Sequence, residues 1–246
     1  MSFLNNIFGT KPKTDFSVLQ TDVHSHFLPG LDDGCKTFEE SIRLLKSMHE
    51  AGFRNIVCTP HIQAVHYQNS RETIMPVFEQ LQLLVEKEIP GLSLSVAAEY
   101  LLDDGFEKHL ENGLMTFGKE NYVLTELSYF TPYPRYRNLL QQIQMKGFKP
   151  ILAHPERYGY WAKHDEPIEE LHGAGILLQV NIPSLTDYYG STIRKRAFGL
   201  VEKGLVSLAG SDIHNANYLN SVLGGLQQRS LSKILEQNRF ANCELM

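Results

Sequence analysis

Two hydrophobic patterns alternate along the chain. Short apolar runs typical of buried strands occupy residues 21–27, 55–59, 92–98, 122–127, 150–153, 176–180 and 205–209. Between them, apolar residues recur at three- and four-residue spacing, which predicts helices between Thr37 and Gly52, after Ser70, and over residues 103–111, 135–147, 167–174 and 191–203. Strands that alternate with helices pair in parallel through right-handed crossovers. The pattern therefore predicts an α/β fold, either a parallel barrel or a doubly wound sheet.

Two of these helices begin with a capping signal. Thr37 is followed three residues later by Glu40, and Ser70 by Thr73, which is the spacing of a capping box. No low-complexity linker or internal repeat interrupts the series. We therefore expect one barrel domain over residues 20–246, closed by one or two covering helices after residue 218, and an N-terminal tail over residues 1–19.

The tail has a short apolar patch at residues 3–8, followed by Lys11 and Lys13. A signal peptide places its positive charge before a longer apolar stretch, so this order argues against secretion. We expect a frayed or docked tail, with weak contact to a membrane surface as the alternative. No run approaches the roughly 18 apolar residues of a membrane-spanning helix, so no membrane span is expected.

Charge and cysteine content narrow the class of protein further. The formal net charge is -5, and Lys and Arg are scattered along the chain, which argues against a nucleic-acid partner bound through its phosphates. The three cysteines form no C-x-x-C pair and no recognisable zinc spacing. Such a sparse, odd set predicts a cytoplasmic protein without a disulfide framework.

Potential metal ligands stand where the predicted strands end. His24 and His26 alternate along the first strand and so share one face. Further His, Asp and Glu residues follow the other strands, and Asp33 lies in the first strand's loop: His61, Glu99, Glu126, His154, Asp212 and His214. Parallel barrels place their sites at the C-terminal ends of the strands. These nine side chains therefore predict one metal centre, with Asp32 as a group that orients a ligand or caps a turn.

Nine nitrogen and carboxylate ligands are too many for a single tetrahedral ion. They suit two or three divalent ions that share bridging carboxylates, with manganese expected and iron, zinc or magnesium as alternatives. The other histidines lie in helices or polar stretches, where a surface role is expected, but His66 follows His61 in a loop and is a candidate substrate contact.

With these motifs the chain resembles the polymerase and histidinol phosphatase (PHP) superfamily, and within it the manganese-dependent bacterial protein tyrosine phosphatases of the CpsB/CapC type. The resemblance covers about residues 20–225. It rests on the H-x-H-x-L-P-G-x-D-D-G block at residues 24–34, the T-P-H block at 59–61, the H-P-E-R-Y block at 154–158 and the S-D-I-H-N block at 211–215, together with Glu99 and Glu126.

The resemblance implies a distorted (β/α)7 barrel with a trinuclear site at the strand C-terminal ends. It implies that two ions are shared by His24, His26, Glu99, Glu126, His154 and Asp212, and that the third is held by Asp33, His61 and His214. Arg157 would bind the phosphate. Some relatives carry a second arginine after the S-D-I-H-N block, but residues 215–220 contain none here. The expected partner is a phosphotyrosine protein, namely an autophosphorylated bacterial tyrosine kinase linked to exopolysaccharide export.

The expected reaction is in-line hydrolysis of a phosphate ester, with Arg157 and the metals neutralising charge and Asp212 or His214 as candidate proton donors. Two aromatic loops offer walls for a phosphotyrosine ring or simply pack together: residues 129–133, and residues 158–161 with Tyr158 and Trp161. A thiol mechanism is excluded because Ser41 and Ala64 stand where the arginine of Cys-x5-Arg would be. The alternatives are a phosphoesterase for a small phosphate such as histidinol phosphate, and a non-catalytic regulator that binds phosphotyrosine.

Overall fold

The computed structural model describes residues 15–237 and 240–246. In this part of the chain the strand segments are β1 Thr21–Asp22, β2 Asn55–Cys58, β3 His61–Ile62, β4 Ser93–Val96, β5 Glu99–Leu101, β6 Tyr122–Glu126, β7 Lys149–Ala153, β8 Leu177–Asn181 and β9 Leu208–Gly210. The α-helices are α1 Phe38–Glu50, α2 Arg71–Glu88, α3 Phe106–Asn112, α4 Tyr136–Met145, α5 Glu166–Gly173, α6 Ser191–Glu202, α7 Ala216–Gly225 and α8 Arg229–Glu236.

Every pairing between these strands is parallel, in the orders β1-β2-β4 and β3-β5-β6-β7-β8-β9. The two orders belong to one sheet, because β2 and β3 are a single strand interrupted at Thr59 and Pro60, and β4 and β5 are a single strand interrupted at Ala97 and Ala98. Backbone hydrogen bonds cross the interruption, from the Ala97 N–H to the Cys58 carbonyl (2.9 Å) and from the Glu99 N–H to the Pro60 carbonyl (3.1 Å). Proline has no N–H to give to the ladder, so a break at this position is expected.

The first and last strands close the sheet into a barrel. Beyond the regular part of β1, Ser25 pairs with Ile213, and the Asp212 N–H donates to the His24 carbonyl over 2.8 Å. Asn242 connects the same two strands closer to their N-terminal ends, since its side-chain amide donates to the carbonyls of Thr21 (2.8 Å) and Ala209 (2.6 Å). The predicted barrel is thus confirmed, and the doubly wound sheet is wrong. The first strand is regular over only two residues because its later backbone groups turn to the last strand.

Both predicted capping residues precede their helices, with one correction to the hydrogen bonds, whereas the helix predicted from residue 103 begins at Phe106. The Thr37 side chain accepts from the Glu40 N–H (3.2 Å), and Ser70 and Thr73 form a full capping box. The Glu40 carboxylate, however, accepts from the Lys36 N–H (2.9 Å) instead of completing a box with Thr37. The side-chain rotamer of Glu40 decides whether its carboxylate meets the N–H of Thr37 or that of Lys36, and residue spacing does not determine the rotamer.

Residues 15–19, assigned from the sequence to the tail, pack onto the barrel. They include a short 3-10 helix, and Phe16 is fully buried with its ring stacked on Phe53 at 5.0 Å between centroids. The tail interpretation for residues 1–14 lies outside the described residues. Among the described residues, no helix is long and apolar enough to cross a membrane.

Candidate metal centre

The nine predicted ligands converge at the C-terminal rim of the barrel. Eight of them are buried, whereas the side chain of Asp33 is 55% exposed. They come from every strand of the barrel except β8, and they form four overlapping groups in which the potential ligand atoms lie within 4.8 Å of one another. The predicted strand-end convergence is therefore present in the structure.

His24 and His26 of the first strand share one ligand group with Asp212 of the last strand, and Glu99 of β5 faces the same two histidines. The Nε2 atom of His24 lies 3.1 Å from Glu99 Oε2 and 3.4 Å from Asp212 Oδ1. The Nε2 atom of His26 lies 3.4 Å from each of the same two oxygens and 3.2 Å from His24 Nε2. Ligand atoms about 2.1 Å from a common ion are separated by roughly these distances. His24, His26 and Asp212 could hold one divalent ion, with Glu99 beside it.

Glu99 also faces a second group on the neighbouring strands. His61 Nδ1 lies 3.1 Å from Glu99 Oε2 and 3.1 Å from Glu126 Oε1, while His154 Nε2 lies 3.1 Å from Glu99 Oε1. Both oxygens of Glu99 are thus engaged, each toward different histidines. A carboxylate in this position could bridge two ions.

A third group lies toward solvent. Asp33 Oδ1 is 3.5 Å from His61 Nε2 and 3.4 Å from His214 Nε2, and the ligand atoms of His26 fall within the same group. The family resemblance assigned His61 to this outer position. In the structure its two ring nitrogens face different groups, so His61 lies between the outer position and the Glu99–Glu126 pair.

Three histidines have their second ring nitrogen held by an acceptor. His26 Nδ1 lies 2.7 Å from Asp32 Oδ2, His24 Nδ1 lies 2.8 Å from Gln179 Oε1, and His214 Nδ1 lies 2.9 Å from the Asp212 carbonyl. Each arrangement places the proton on Nδ1 and leaves Nε2 free for a cation, which is the usual support of a metal-binding histidine. Asp32 therefore takes the orienting role expected as one of its two options.

Gln179 and Asn181 were not predicted as site residues, yet they link two of the ligands. The Gln179 amide donates to Asn181 Oδ1 (2.9 Å), and the Asn181 amide donates to Asp212 Oδ2 (2.6 Å). Both are polar residues two positions apart on an apolar strand, so they share its inner face. That pattern is the signal by which they could have been found.

The electrostatic balance of the centre favours ionised carboxylates. Burial opposes ionisation of Glu99 and Asp212, but the neighbouring imidazoles outweigh burial and hold both pKa values well below the usual range. Burial likewise opposes protonation of His61, yet Glu99 and Glu126 raise its pKa to about 9. The buried Oε2 of Glu99 has no hydrogen-bond partner among the described residues, although imidazole nitrogens surround it. Divalent cations would satisfy this set in place of protons, so the donor set fits a metal centre.

Backbone geometry at the rim is unusual in two ways. His154 (φ 38°) and Asp212 (φ 52°) adopt left-handed conformations without being glycine, a strain that concentrates at functional sites. At Gly210, an added Cβ would lie 2.7 Å from the His24 Cβ. The close approach of the first and last strands therefore requires glycine at this position.

Arg157 lies beside the metal ligands as predicted. Its Nη1 donates to Asp212 Oδ2 over 2.9 Å, and its guanidinium carbon lies 4.7 Å from the Tyr129 ring centroid and 4.4 Å from that of Tyr189. Burial opposes its charge, but Tyr129 and Asp212 raise the pKa of Arg157 further, so it stays cationic. A fixed cation next to a metal centre is suited to binding an anionic group such as phosphate.

Two of the three further predicted substrate contacts are corrected because their side chains are buried, whereas His66 stays a prediction. Tyr158 is fully buried in the hydrophobic core, and its hydroxyl donates to the Ala153 carbonyl and accepts from the Leu127 N–H, so it supports the ends of two strands and is not open to a substrate. Trp161 is 5% exposed and packs edge-on against Tyr158 and Tyr160. His66 is exposed and belongs to none of the ligand groups among the described residues.

Both aromatic loops contact the ligand His154, the second through the buried Tyr158 ring at 5.7 Å and the first at the rim. Tyr129 stacks on His154 at 5.6 Å, and the neighbouring Phe130 is 94% exposed at the rim. Two tyrosines that the sequence did not single out also contact ligands: Tyr67 stacks on His61 (5.3 Å), and the tilted ring of Tyr218 packs against His214 (5.0 Å). Tyrosine rings thus border the metal centre on several sides.

Comparisons with known proteins agree with this geometry. The model of the family "Capsular polysaccharide synthesis, CpsB/CapC" matches residues 20–230. The tyrosine-protein phosphatase CpsB of Streptococcus pneumoniae is 32% identical over 200 residues, covering 79% of this chain and 82% of that protein. The tyrosine-protein phosphatase YwqE of Bacillus subtilis is 30% identical over 202 residues, covering 81% of this chain and 79% of that protein.

Solved structures support the same assignment. One from a study of YwqE and CpsB, described there as unique metal-dependent tyrosine phosphatases, superimposes with a TM-score of 0.77 at 26% identity, covering 89% of this chain and 92% of that one. The Escherichia coli phosphotriesterase homology protein, with a TM-score of 0.54 and 13% identity over 92% of this chain and 93% of that one, shares the fold alone. The family that the sequence motifs resemble is thus confirmed, and this chain belongs to the CpsB/CapC family of capsular polysaccharide synthesis proteins.

Proposed function

We propose that this chain is a metal-dependent tyrosine-protein phosphatase whose nine rim ligands hold two or three divalent ions. The observation that carries the proposal is the arrangement around Glu99, where one buried carboxylate faces His24, His26, His61 and His154 at 3.1–3.4 Å. A protein that only bound phosphotyrosine would not need this complete, buried ligand set. The metal dependence of the family's solved member supports the same reaction class.

The chain's own residues divide the work of phosphate-ester hydrolysis between them. Bound divalent ions supply Lewis acidity that activates water and neutralises phosphoryl charge. Arg157 binds the phosphoryl oxygens, and its hydrogen bond to Asp212 fixes the guanidinium beside the ligands. Because Arg157, Asp212 and the histidines are held before substrate arrives, little reorganisation is needed during the reaction.

Asp212 is better suited to binding than to proton transfer. Its Oδ1 faces His24 and His26, and its Oδ2 accepts from Arg157 and Asn181. We therefore assign it as a ligand that also positions Arg157. A tyrosine leaving group, with a pKa near 10, needs less protonation than an alkoxide, so the reaction does not require a strong acid. His214 is committed in the same way, since its Nδ1 faces the Asp212 carbonyl and its Nε2 faces Asp33 in the outer ligand group, so we assign neither residue as the proton donor.

The finer assignments rest on the family and on the donor chemistry. We infer that manganese is the native metal, since imidazole and carboxylate ligands without thiolate suit it. We infer that the substrate is a phosphotyrosine protein, namely an autophosphorylated bacterial tyrosine kinase of polysaccharide export, because the family description concerns capsular polysaccharide synthesis. The three free cysteines support a reducing, cytoplasmic location.

Substrate competition tests the proposed function. The purified, manganese-loaded protein should hydrolyse a phosphotyrosine peptide with much higher kcat/KM than histidinol phosphate. Preference for histidinol phosphate would favour the small-phosphate alternative. Tight binding of the phosphopeptide without turnover would favour the regulator, and His61→Ala should abolish turnover if the metal centre performs the chemistry.

A further inference from the structure

Tyr189 occupies a position beside Arg157 that the reaction described above does not yet use. It lies in the loop that precedes α6, and its ring centroid is 4.4 Å from the Arg157 guanidinium carbon. The charged groups that act on its hydroxyl are the Asp212 carboxylate and the Arg157 guanidinium. Tyr189 therefore stands at the same side of the centre as the proposed phosphate-binding cation.

The hydroxyl of Tyr189 is left without a partner. The residue as a whole is half-buried. The Tyr218 side chain lies nearby, but the buried hydroxyl oxygen of Tyr189 makes no hydrogen bond of acceptable geometry to it or to any other described residue. A buried donor without a partner is costly, and native proteins rarely retain one without a reason. A ligand that arrives beside Arg157 would supply the missing acceptor.

A phosphoryl group requires more donors than Arg157 provides. A phosphate monoester has three non-bridging oxygens, and Arg157 spends one N–H on Asp212. Residues 215–220, which follow His214, contain neither arginine nor lysine. A neutral tyrosine hydroxyl is an adequate donor to an anionic oxygen, and it adds no charge that would repel Arg157.

We propose that Tyr189 is a substrate-binding residue, whose hydroxyl donates a hydrogen bond to a phosphoryl oxygen while its ring, with that of Tyr129, holds Arg157 in place. The assignment rests on the proposed phosphatase function. It makes the recognised group a phosphate monoester dianion held by one guanidinium and one phenol in addition to the metals. Removal of the hydroxyl alone should therefore weaken phosphate binding, and removal of the ring should additionally release Arg157.

Tyr160 provides a matched control. Its hydroxyl is also buried without a partner, but its ring stacks on Tyr158 at 5.6 Å, within the packed aromatic loop. Tyr189→Phe and Tyr160→Phe therefore remove equivalent unpartnered hydroxyls, one beside Arg157 and one away from it. Neither substitution removes a hydrogen bond that holds the fold, and metal content and thermal unfolding should stay at wild-type values in both.

Two measurements on the manganese-loaded proteins test the inference. We expect Tyr189→Phe to lower kcat/KM for a phosphotyrosine peptide, and to weaken inorganic phosphate binding measured by calorimetry, each by about 10- to 100-fold, the range for one hydrogen bond to a charged group. Tyr160→Phe should match wild type in both. If Tyr189→Phe stays within twofold of wild type in phosphate binding, the inference is wrong. If wild type binds phosphate but has no phosphatase activity, the proposed function fails, and the phosphate-binding comparison still decides the role of Tyr189.

Discussion

Asp32 should control the metal affinity of the centre although it is not one of the nine ligands. Its carboxylate accepts three hydrogen bonds, from His26 Nδ1 (2.7 Å), from the His61 backbone N–H (3.0 Å) and from the Gly34 N–H (2.9 Å). Burial raises the pKa of Asp32, but the facing imidazole of His26 outweighs burial and holds the pKa far below the usual range. All three partners are donors, so the site is built for a carboxylate.

The substitution Asp32→Asn introduces a conflict that no rotamer removes. If the amide oxygen faces His26 and His61, the amide nitrogen faces the Gly34 N–H. If the amide is turned, its nitrogen faces His26 Nδ1 and favours the tautomer with the proton on Nε2, the atom that must be free to bind a cation. The substitution removes one charge-assisted hydrogen bond and leaves one buried donor without an acceptor, which together cost about 1–3 kcal/mol. Supporting residues of this kind change metal affinity by about 10- to 100-fold.

The assay is a metal titration of phosphotyrosine-peptide turnover after complete metal removal. Asp32→Asn should raise the manganese concentration for half-maximal activity by about 10- to 100-fold, while turnover at saturating manganese should fall much less. Asp104, an exposed aspartate in the loop before α3, provides the control, and Asp104→Asn should leave the titration unchanged. An Asp32→Asn curve that superimposes on that of Asp104→Asn would refute the orienting role.

Three further predictions follow from the described contacts. Arg157→Lys should lower kcat/KM by about 100-fold or more, because an ammonium group cannot keep both the bond to Asp212 and a bidentate contact to phosphate; steady-state kinetics measure this, and a loss below threefold would contradict it. Gly210→Ala should destabilise the protein by about 1–3 kcal/mol, since the new methyl group would lie 2.7 Å from the His24 Cβ; denaturant unfolding should show it, and an unchanged midpoint would not fit. Iodoacetamide at pH 8 should modify Cys243 only, because burial raises the pKa of Cys35 to about 11 and that of Cys58 further. Labelling of all three cysteines in the folded protein at pH 8 would contradict this burial. Because the pKa of Cys35 is raised from 9.0 to about 11 on folding, the stability that its neutral thiol contributes is present below pH 9 and should be lost as the pH rises through 11.

The strand-end ligands are predictable because all strands of a parallel barrel end at the same rim. His24 and His26 alternate along a strand, which fixes them on one face whatever the details of the fold. Glu99, Glu126 and His154 each follow an apolar run, so the barrel alone brings them together. The interruptions at Pro60 and at Ala97 leave the pairing register of these two strands unchanged, so their ends stay at the rim.

The residues that support the ligands could not be predicted with the same ease. The sequence leaves two roles open for Asp32, to orient a ligand or to cap a turn. Only its contact with His26 Nδ1 in the structure assigns the orienting role. Tyr189 lies in an irregular loop, whose path depends on the packing of α6 and not on any residue spacing. The sequence does not decide the position of Tyr158, because a tyrosine next to Arg157 after a strand is equally consistent with an open rim and with the core. Its hydrogen bonds to two backbone groups hold it in the core.

We propose that the His, Asp and Glu residues at the rim hold divalent ions that are required for phosphate-ester hydrolysis. The most direct measurement combines elemental analysis of the purified protein with phosphotyrosine-peptide turnover before EDTA, after EDTA, and after addition of manganese. We expect two or three equivalents of metal per chain, loss of turnover with the metal, and recovery of turnover with manganese. Full turnover in EDTA by a protein shown to contain no metal would contradict the account.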